Sequence, residues 1–513
     1  HVHDGNTKGR KSPTHLIMDA WIKGIRNLKV IYYNFVPFQA AQELLEAADV
    51  MGIQIRIGIE YTAIFRNRWI ELICAPRGFN GNADYLAYLK SPRMAEHQVQ
   101  ALEVIEYQTK LVLHVLDDFN GNHLASLNSD FNLDLAPITH EEFLTAVSYG
   151  QPAVSHLAEL IYQHIRSACE DKFKTMDVKS PEYLAICQKM NALSAEEIRE
   201  KYINSSIMDL VPPLNESPQL KRCTPEELIN HLDRIAPAYR LTLNLSKLSL
   251  EDVIEILFDC HGRITHLEMF NLKDTVLGLR DNDQVINELR LALNNGAVIK
   301  IKQIINIAIE RIQRSEAPNR AERLEKFHQM LLALPTFTEM YSAKPLQAHV
   351  GSDSASRSKR VHGMGFAVVE SLPRRVQKML HSERNKNVEL LPVSADIHKT
   401  YNELPRNTIL HNIFLPWWKN MLSRSISRNE SEWVCDDPVA HIGKKKGNLV
   451  TLGGYFQAQV NFSPIRLTGK LFHSPREYWQ YLDSNWKLAL KILCGFLPAF
   501  ISFFYTSDRK SVV

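Results

Sequence analysis

The stretch that decides the fold is Leu28–Glu60, LKVIYYNFVPFQAAQELLEAADVMGIQIRIGIE. Leu28–Tyr33 is an apolar run that predicts a buried strand, and Ala40–Val50 carries apolar residues at helical spacing. Gly52 ends that helix, and isoleucines at alternate positions from 53 to 59 predict a second strand that finishes at Glu60. A strand, a helix and another strand in succession predict a parallel sheet or a (β/α) barrel, whose chemistry lies at the carboxyl ends of the strands.

The same alternation extends in both directions along the chain. Towards the amino terminus, His1–His3 is predicted to be a strand, and Ser12-Pro13 starts a helix because serine is a favoured N-cap and proline suits the first helical position. Further strands and helix starts are predicted at Trp69–Cys74, Thr139–Glu142, Thr224–Glu227, Ile264–Phe270 and Leu346–Val350. The sequence therefore predicts the α/β class, with a barrel-sized unit over residues 1–376 and a polar helical insertion at about 171–220.

The last part of the chain has a different pattern. Residues 377–486 are predicted to form a mainly helical extension, with a Pro416-Trp417-Trp418 cluster inside it. The segment 487–506 contains an apolar run that is shorter than the ~20 residues that span a bilayer. We expect this segment to be either a buried helix or a point of membrane association at the C-terminus.

Composition and charge exclude several classes of protein. Among the 513 residues, 60 Lys and Arg balance 57 Asp and Glu, so the net charge of +3 gives no clear nucleic-acid signal. The seven cysteines are odd in number and form no C-x-x-C, which argues against a disulfide framework and favours a cytoplasmic protein. The sequence contains no phosphate-binding loop, no G-x-G-x-x-G after a strand, no H-E-x-x-H and no G-x-S-x-G.

The clearest chemical feature is the pair His1-Val2-His3. Alternate side chains of a strand point to the same side, so the two imidazoles can hold one ion while Val2 faces the other way. Such a pair also occurs by chance and in hydrogen-bonded cores, so the spacing alone leaves both interpretations open.

Several motifs occur together in a fixed order. They are H-V-H at 1–3, S-P-T-H-L at 12–16, G-I-E-Y-T-A at 58–63, P-I-T-H-E-E-F at 137–143, S-H-L at 155–157, H-V-G-S-D-S at 349–354 and G-M-G-F at 363–366. In this order they resemble the polymerase-and-histidinol-phosphatase (PHP) family of metal hydrolases. The resemblance spans roughly residues 1–375.

The resemblance implies a distorted (β/α)7 barrel that hydrolyses phosphate esters with a metal-activated water. It implies two or three divalent ions, zinc, manganese or iron, of which the residues retained in this chain could hold one or two. The implied metal ligands are His1, His3, Glu60, His156 and Asp353, and the implied catalytic residues are Glu60, as a bridge between two ions, and Asp353. The implied partner is a small phosphorylated substrate.

Departures from the family pattern bear on how many ions are held. Lys8 stands where the family has an aspartate, Tyr33-Asn34 replaces an aspartate-histidine pair, and histidines are replaced by Glu71, Asn244 and Ala355. Because lysine, tyrosine and alanine cannot replace lost zinc ligands, a full three-metal site is not expected. His349 stays open as a further site residue, because it lies four positions before Asp353.

Alternatives remain at two levels. The ammonium of Lys8 either takes the space of a missing cation and binds phosphate, or is a solvated loop residue. The chain is either a PHP-type metal-dependent phosphoesterase or a degenerate barrel that binds a ligand or partner without catalysis. In a third alternative, the region after residue 380 is the active part and the barrel is its scaffold.

Overall fold

The computed structural model describes residues 1–452 with gaps at 149, 175, 177–179, 204–216, 277, 279, 281, 317–318, 355–362, 381–389, 403–429 and 444–445. The chain divides into two compact units. The larger contains residues 1–171 and 192–460, and the smaller contains residues 172–191 and 461–513. All of the described strands belong to the larger unit.

The helices begin where the capping residues predict. The hydroxyl groups of Ser12 and Thr139 accept backbone N–H groups of the first turns that follow them, and Thr224 forms a reciprocal capping box with Glu227. The described helices are α1 (Pro13–Ile22), α2 (Phe38–Met51), α3 (Asn82–Leu89), α4 (Pro92–Asp118), α5 (Leu124–Phe131), α6 (His140–Val147), α7 (Val154–Phe173), α8 (Pro181–Ala192), α9 (Ala195–Ile198), α10 (Gln219–Arg222), α11 (Pro225–Ile235), α12 (Leu250–Asp259), α13 (Leu272–Val276), α14 (Asp283–Asn294), α15 (Val298–Arg314), α16 (Arg320–Leu332), α17 (Leu334–Ser342) and α18 (Arg374–Leu380).

The strands form one large sheet and two pairs. The strands are β1 (Asn27–Tyr33), β2 (Gln54–Phe65), β3 (Arg68–Pro76), β4 (Tyr239–Asn244), β5 (His266–Asn271), β6 (Gln347–Gly351), β7 (Gly365–Val368), β8 (Val393–Asn402), β9 (Glu430–Ile442) and β10 (Leu449–Leu452). Strands β1 to β6 lie in chain order in a curled, half-barrel sheet, while β7 pairs with β10 and β8 with β9. The fold is therefore mixed α/β, as predicted at the level of class.

One strand of the sheet contradicts the prediction that the strands are parallel. β3 is antiparallel to both of its neighbours, β2 and β4, whereas the other pairs of the sheet are parallel. The reason is the two-residue connection Arg66-Asn67, whose φ angles of 48° and 60° are both left-handed. A two-residue loop with positive φ angles makes a tight hairpin, whereas a parallel partner requires a long crossover.

The two faces of this sheet differ in chemistry. Because paired residues share a face, the register Lys29↔Arg56, Thr62↔Glu71 and Ala75↔Arg240 follows one side of the sheet from strand to strand. This side, the inner face, carries polar residues at both ends of the strands. The opposite side carries buried residues of the hydrophobic core, including Val30, Ile57, Leu72, Leu243 and Leu267. The helices therefore cover the apolar face, and the inner face is left for a site.

The predicted helical extension at 377–486 is wrong for most of its described residues, which form β8, β9 and β10. In β8 the apolar Val393, Ala395 and Ile397 occupy alternate positions, which is the strand period. Its partner β9 begins 28 residues after β8 ends, and local pattern reading does not reveal such distant pairing. The Pro416-Trp417-Trp418 cluster lies outside the described residues.

The expectation of membrane association at the C-terminus is also corrected. Across the described ranges, no helix is both long enough and apolar enough to cross a bilayer. The segment 487–506, on which that expectation was based, lies outside the described residues.

Of the smaller unit, the structure describes most of residues 172–191. They are largely helical, and the rings of Phe173 and Tyr183 pack with centroids 4.7 Å apart. The helical character predicted for the insertion is thus present here, while its limits at 171 and 220 stay a prediction.

Candidate metal centre

The first three residues are held between the two edges of the six-stranded sheet. Val2 forms bridges with Val30 of β1 and with Ser354, which follows β6. The Val2 N–H donates to Lys29 O at 3.0 Å, and the His3 N–H donates to Ser354 O at 3.1 Å. This pairing brings His1 and His3 to the residues that follow the carboxyl end of β6.

Three ligand atoms converge at this point. His3 Nε2 lies 3.1 Å from Asp353 Oδ1, and His1 Nε2 lies 3.4 Å from the same oxygen. All three side chains are buried, with exposed fractions of 2%, 0% and 9% for His1, His3 and Asp353. Asp353 has a φ angle of 45°, in the left-handed region that costs energy for most residues and recurs at functional sites.

Both imidazoles are held in place by an acceptor at Nδ1, on the side of the ring away from Asp353. His1 Nδ1 lies 2.6 Å from Glu268 Oε1, and His3 Nδ1 lies 3.1 Å from the carbonyl oxygen of Ile31. An acceptor at Nδ1 fixes the ring and leaves Nε2 to bind a metal, which is the usual environment of a metal-bound histidine. Gly351 makes the first of these contacts feasible, because a Cβ there would lie 1.9 Å from Glu268 Oε1.

The surroundings shift the pKa values of the two imidazoles in opposite directions. Burial disfavours the charged form of His1, but the carboxylates of Glu268 and Asp353 outweigh it and raise the pKa of His1 to about 10. Burial and the ammonium of Lys8 lower the pKa of His3 to about 3. His3 is therefore neutral at physiological pH, which is the form that binds metal, whereas His1 would release its Nε2 proton on binding metal.

A cation fits between His3 and Asp353. His3 Nε2 is buried, and it lies 3.1 Å from Asp353 Oδ1. With Nδ1 donating to the Ile31 carbonyl, Nε2 directs its lone pair at a carboxylate oxygen, and a cation between the two atoms relieves the repulsion. His1, His3 and Asp353 offer ligand atoms that all lie within 4.8 Å of one another. Two imidazoles and a carboxylate form a donor set that suits zinc and related ions.

Two lysines also contact Asp353, one at each carboxylate oxygen. Lys8 Nζ lies 2.8 Å from Oδ1, and Lys273 Nζ, from α13, lies 2.7 Å from Oδ2. Although burial opposes ionisation of the carboxyl group, these two ammonium groups hold the pKa of Asp353 well below its usual range. The side chain of Lys8 is only 16% exposed, so the interpretation of Lys8 as a solvated loop residue is wrong.

Glu60, Glu71 and Asn244 lie on the inner face, in β2, β3 and β4. Asn244 Nδ2 donates to Glu71 Oε2 at 2.6 Å. Burial and the neighbouring charge of Glu71 raise the pKa of Glu60 to about 8, while Lys8 acts in the opposite direction. Glu60 is therefore close enough to the centre for electrostatic coupling, but it is not one of the three converging residues. Its role as a ligand stays a prediction.

The remaining residues singled out from the sequence differ in how close they lie to the three converging side chains. His156 is buried in the first turn of α7 and is not one of the three residues that converge, so its role as a ligand also stays a prediction. Tyr33 packs its ring 5.3 Å from that of His3, and the Lys8 ammonium lies 5.7 Å from the Tyr33 ring centroid. Ala355 lies outside the described residues.

Sequence reasoning missed Glu268 and Lys273. Glu268 is a fully buried charge within the apolar run Leu267–Phe270, and an acidic residue in such a strand is expensive unless it is paired. Lys273 follows directly after the end of β5, where side chains of a site are expected. These two local features could have identified both residues.

The raised pKa of Glu60 gives a pH-dependent prediction for the chelator-treated chain. Because the folded state binds this proton more tightly than the unfolded state, the stability of the parent decreases as pH rises from about 4.5 to about 8. Glu60→Gln carries no such proton. We therefore expect the free energy of unfolding of Glu60→Gln, relative to that of the parent, to increase across this pH range by about 1–3 kcal/mol.

The measurement is chemical denaturation at pH 5 and pH 9, with the exposed Glu103→Gln as control. A difference between Glu60→Gln and the parent that does not change with pH would contradict the prediction. If added zinc or manganese stabilises the parent but not Glu60→Gln, Glu60 also contributes to the metal site.

Comparisons with known proteins give limited matches. No family model matches the chain, and no curated protein matches it. A candidate metal-dependent phosphoesterase from Bifidobacterium adolescentis is similar in structure, with 12% identity and a TM-score of 0.36 over 70% of this chain and 87% of the other. An amidohydrolase from Chromobacterium violaceum, solved with sulfate and no metal, has 12% identity and a TM-score of 0.34 over 69% and 85%. Both TM-scores lie below 0.5, so these likenesses establish no function for this chain.

Proposed function

We propose that the chain is a metal-dependent hydrolase of phosphate esters, in which His1, His3 and Asp353 hold one divalent ion. The observation that supports this most strongly is the convergence of both Nε2 atoms on Asp353 Oδ1 while each Nδ1 is held by an acceptor. Zinc, manganese and iron all suit these donors. A bound ion lowers the pKa of its water towards neutrality and offsets charge on the phosphoryl oxygens.

The two lysines supply the binding of the substrate phosphate in this proposal. Lys8 and Lys273 already hold a carboxylate between them, so the same ammonium groups can hold a phosphoryl group beside Asp353. Lys8 stands where the related family has an aspartate, and it supplies a fixed positive charge in place of a second ion.

Glu60 is the proposed proton donor to the leaving group. Its pKa of about 8 leaves it mostly protonated at neutral pH, because burial and Glu71 disfavour its charge. A carboxylic acid whose pKa lies near the working pH is well suited to general acid catalysis.

The proposed architecture is a PHP-type barrel over residues 1–376. The bridges of Val2 to Val30 and Ser354 support it, because they connect the two edge strands of the half-barrel through the amino terminus. In this proposal, residues 377–486 form an added region and 487–506 an apolar segment.

A second candidate function is binding of an anion without catalysis. The specific observation that favours it is the double ion pair of Lys8 and Lys273 with Asp353, which neutralises the carboxylate by side chains alone. A retained phosphate-binding site would need these lysines even where no ion is held.

Elemental analysis of the purified full chain tests the proposal. We expect about one equivalent of transition metal per chain, lost in His3→Ala, together with hydrolysis of phosphate esters that falls at least ~100-fold in the same variant. His15→Ala is the control, because His15 is exposed on α1. No metal after reconstitution with zinc and manganese would overturn the hydrolase, and phosphate binding lost in Lys273→Gln would then support the second candidate.

A further inference from the structure

A second group of charged side chains lies at the amino-terminal end of the same sheet. It consists of basic residues near the starts of β1, β2, β4 and β5, in the middle of β6 and directly after the end of β3. We define it as the basic cluster, with the members Lys29, Arg56, Arg77, Arg240, His266 and His349. Because β3 is antiparallel, Arg77 at its carboxyl end lies beside the amino end of β4. Lys29, Arg56, Arg77 and Arg240 therefore lie at the opposite end of the strands from the metal centre, whereas His349 pairs with Glu268 and lies nearer to it.

The strand register places five of these residues on the inner face. Lys29 pairs directly with Arg56, and Arg240 pairs with Ala75 of β3. Along the same face, Thr242 pairs with His266, and Glu268 pairs with His349. Directly opposed like charges such as Lys29 and Arg56 destabilise a sheet, so this arrangement is costly without a counter-charge.

The protein supplies little counter-charge of its own. Within the ranges that the structure describes, Lys29, Arg56, Arg77 and Arg240 form no ion pair with a carboxylate, and the nearby Glu268 is engaged by His1. Other basic residues of the larger unit are paired, as Arg66 and Arg323 are with Glu255 at 2.6 and 3.2 Å. A bound anion would supply the counter-charge that these four side chains lack among the described residues.

The unpaired charges act on one another. Burial lowers the pKa of Lys29 to about 8, and although Glu268 opposes this shift, Arg56 and Arg240 add to it. Burial also lowers the pKa of His266 to about 4, again with contributions from Arg240 and Lys29. The register agrees with this, because Lys29 pairs directly with Arg56, and the Arg77 N–H donates to Ala238 O, two residues before Arg240.

One member, His349, also has a buried ring nitrogen, Nε2, without a hydrogen-bond partner among the described residues. A buried polar atom without a partner costs energy, and a ligand oxygen or a water that it carries would satisfy it. Arg56 and Arg77 are exposed and Lys29 and Arg240 half-buried, so the cluster remains open to solvent.

We propose that the basic cluster binds a compact polyanion that carries two or more phosphate groups, such as pyrophosphate, tripolyphosphate or the phosphate chain of a nucleotide. Three arginines and a lysine around one end of a curled sheet match several negative charges held a few ångströms apart. Arginine side chains bind phosphate oxygens in a bidentate manner. The chain's net charge of only +3 and the half-buried positions of Lys29 and Arg240 favour a small ligand over a nucleic acid.

The test is calorimetric titration of the chelator-treated full chain with tripolyphosphate at low salt. Chelation keeps the polyanion from binding a metal ion instead of the protein. We expect 1:1 binding that weakens with added salt, and a loss of at least ~10-fold in affinity in Arg56→Gln and in Arg240→Gln. Arg375→Gln, an exposed arginine on α18, is the matched control and should stay within about twofold of the parent.

Thermal unfolding without ligand is the second measurement, because the same variant that loses affinity is expected to gain thermal stability. Because Arg56→Gln removes repulsion from Lys29, we expect it to unfold at a higher temperature than the parent, so a loss of binding is not a loss of folding. The double variant Lys8→Gln/Lys273→Gln should retain tripolyphosphate binding. If it loses binding while Arg56→Gln retains it, the anion binds at the metal centre and the inference is wrong. No binding to the parent also overturns it, whatever the metal content proves to be.

Discussion

Replacing Asp353 with asparagine is expected to remove bound metal and to reduce phosphate-ester hydrolysis by at least ~100-fold, because changes one step further from a metal already cost 10–100-fold. Oδ1 of Asp353 is the atom on which His1 and His3 converge. Asparagine also tolerates the left-handed backbone that Asp353 adopts, so the loop is kept and the charge alone is lost.

The same change should destabilise the chelator-treated chain by about 3–5 kcal/mol, because it leaves buried cations without their partner. Lys8, Lys273 and His1 all contact this carboxylate at 2.7–3.4 Å. Metal content, turnover and denaturant unfolding are measured on the same preparation.

The control is Asp19→Asn. Asp19 also holds two lysines, Lys11 and Lys23, but lies on α1 and is more exposed. We expect this variant to keep its metal and to lose less than about 1 kcal/mol, as exposed ion pairs do. If Asp353→Asn keeps one equivalent of metal, the assignment of the centre is wrong.

Replacing Gly351 with alanine is the second change with a large expected effect, although Gly351 offers no ligand itself. The new Cβ would lie 1.9 Å from Glu268 Oε1 and 2.9 Å from His1 Nδ1. Glu268 is fully buried and cannot swing into solvent. It must therefore move away from His1, and His1 loses the acceptor that fixes its ring.

We expect Gly351→Ala to weaken metal affinity by about 10–100-fold and to cost about 1–3 kcal/mol through overpacking. Metal affinity is measured by competition with a chelating dye, and stability by denaturant unfolding. Gly121→Ala is the control, because a Cβ at Gly121 meets nothing within 4 Å, and alanine in a helical turn is neutral or slightly stabilising.

A compensating change distinguishes the steric clash with Glu268 from a general loss of structure. In Gly351→Ala/Glu268→Asp, the shorter acid side chain leaves room for the new methyl group, so metal affinity should recover in part. If the single variant binds metal as the parent does, the contact between Glu268 and His1 does not orient the ligand.

The sequence by itself determined the local elements and the class of the fold. Leu28–Tyr33 and the alternating isoleucines after Gly52 are found in strands, and Ser12, Thr139 and Thr224 cap helices as predicted. These features depend on contacts within a few residues, namely side-chain periodicity and hydrogen bonds at helix ends. The His1 and His3 pair could be identified for the same reason, because alternation along an extended segment is a local property.

Only the tertiary structure decided which residues meet. Asp353 lies 352 residues from His1, and their contact follows from the bridges of Val2 to both edges of the sheet. The antiparallel β3 and the β8–β9 pair likewise depend on which strands pair in space. Pairing over long separations depends on the whole fold, because the chain must lose loop entropy before such contacts form. For this reason the sequence alone left Lys8 with two interpretations, and the ion pair with Asp353 excluded only the solvated one.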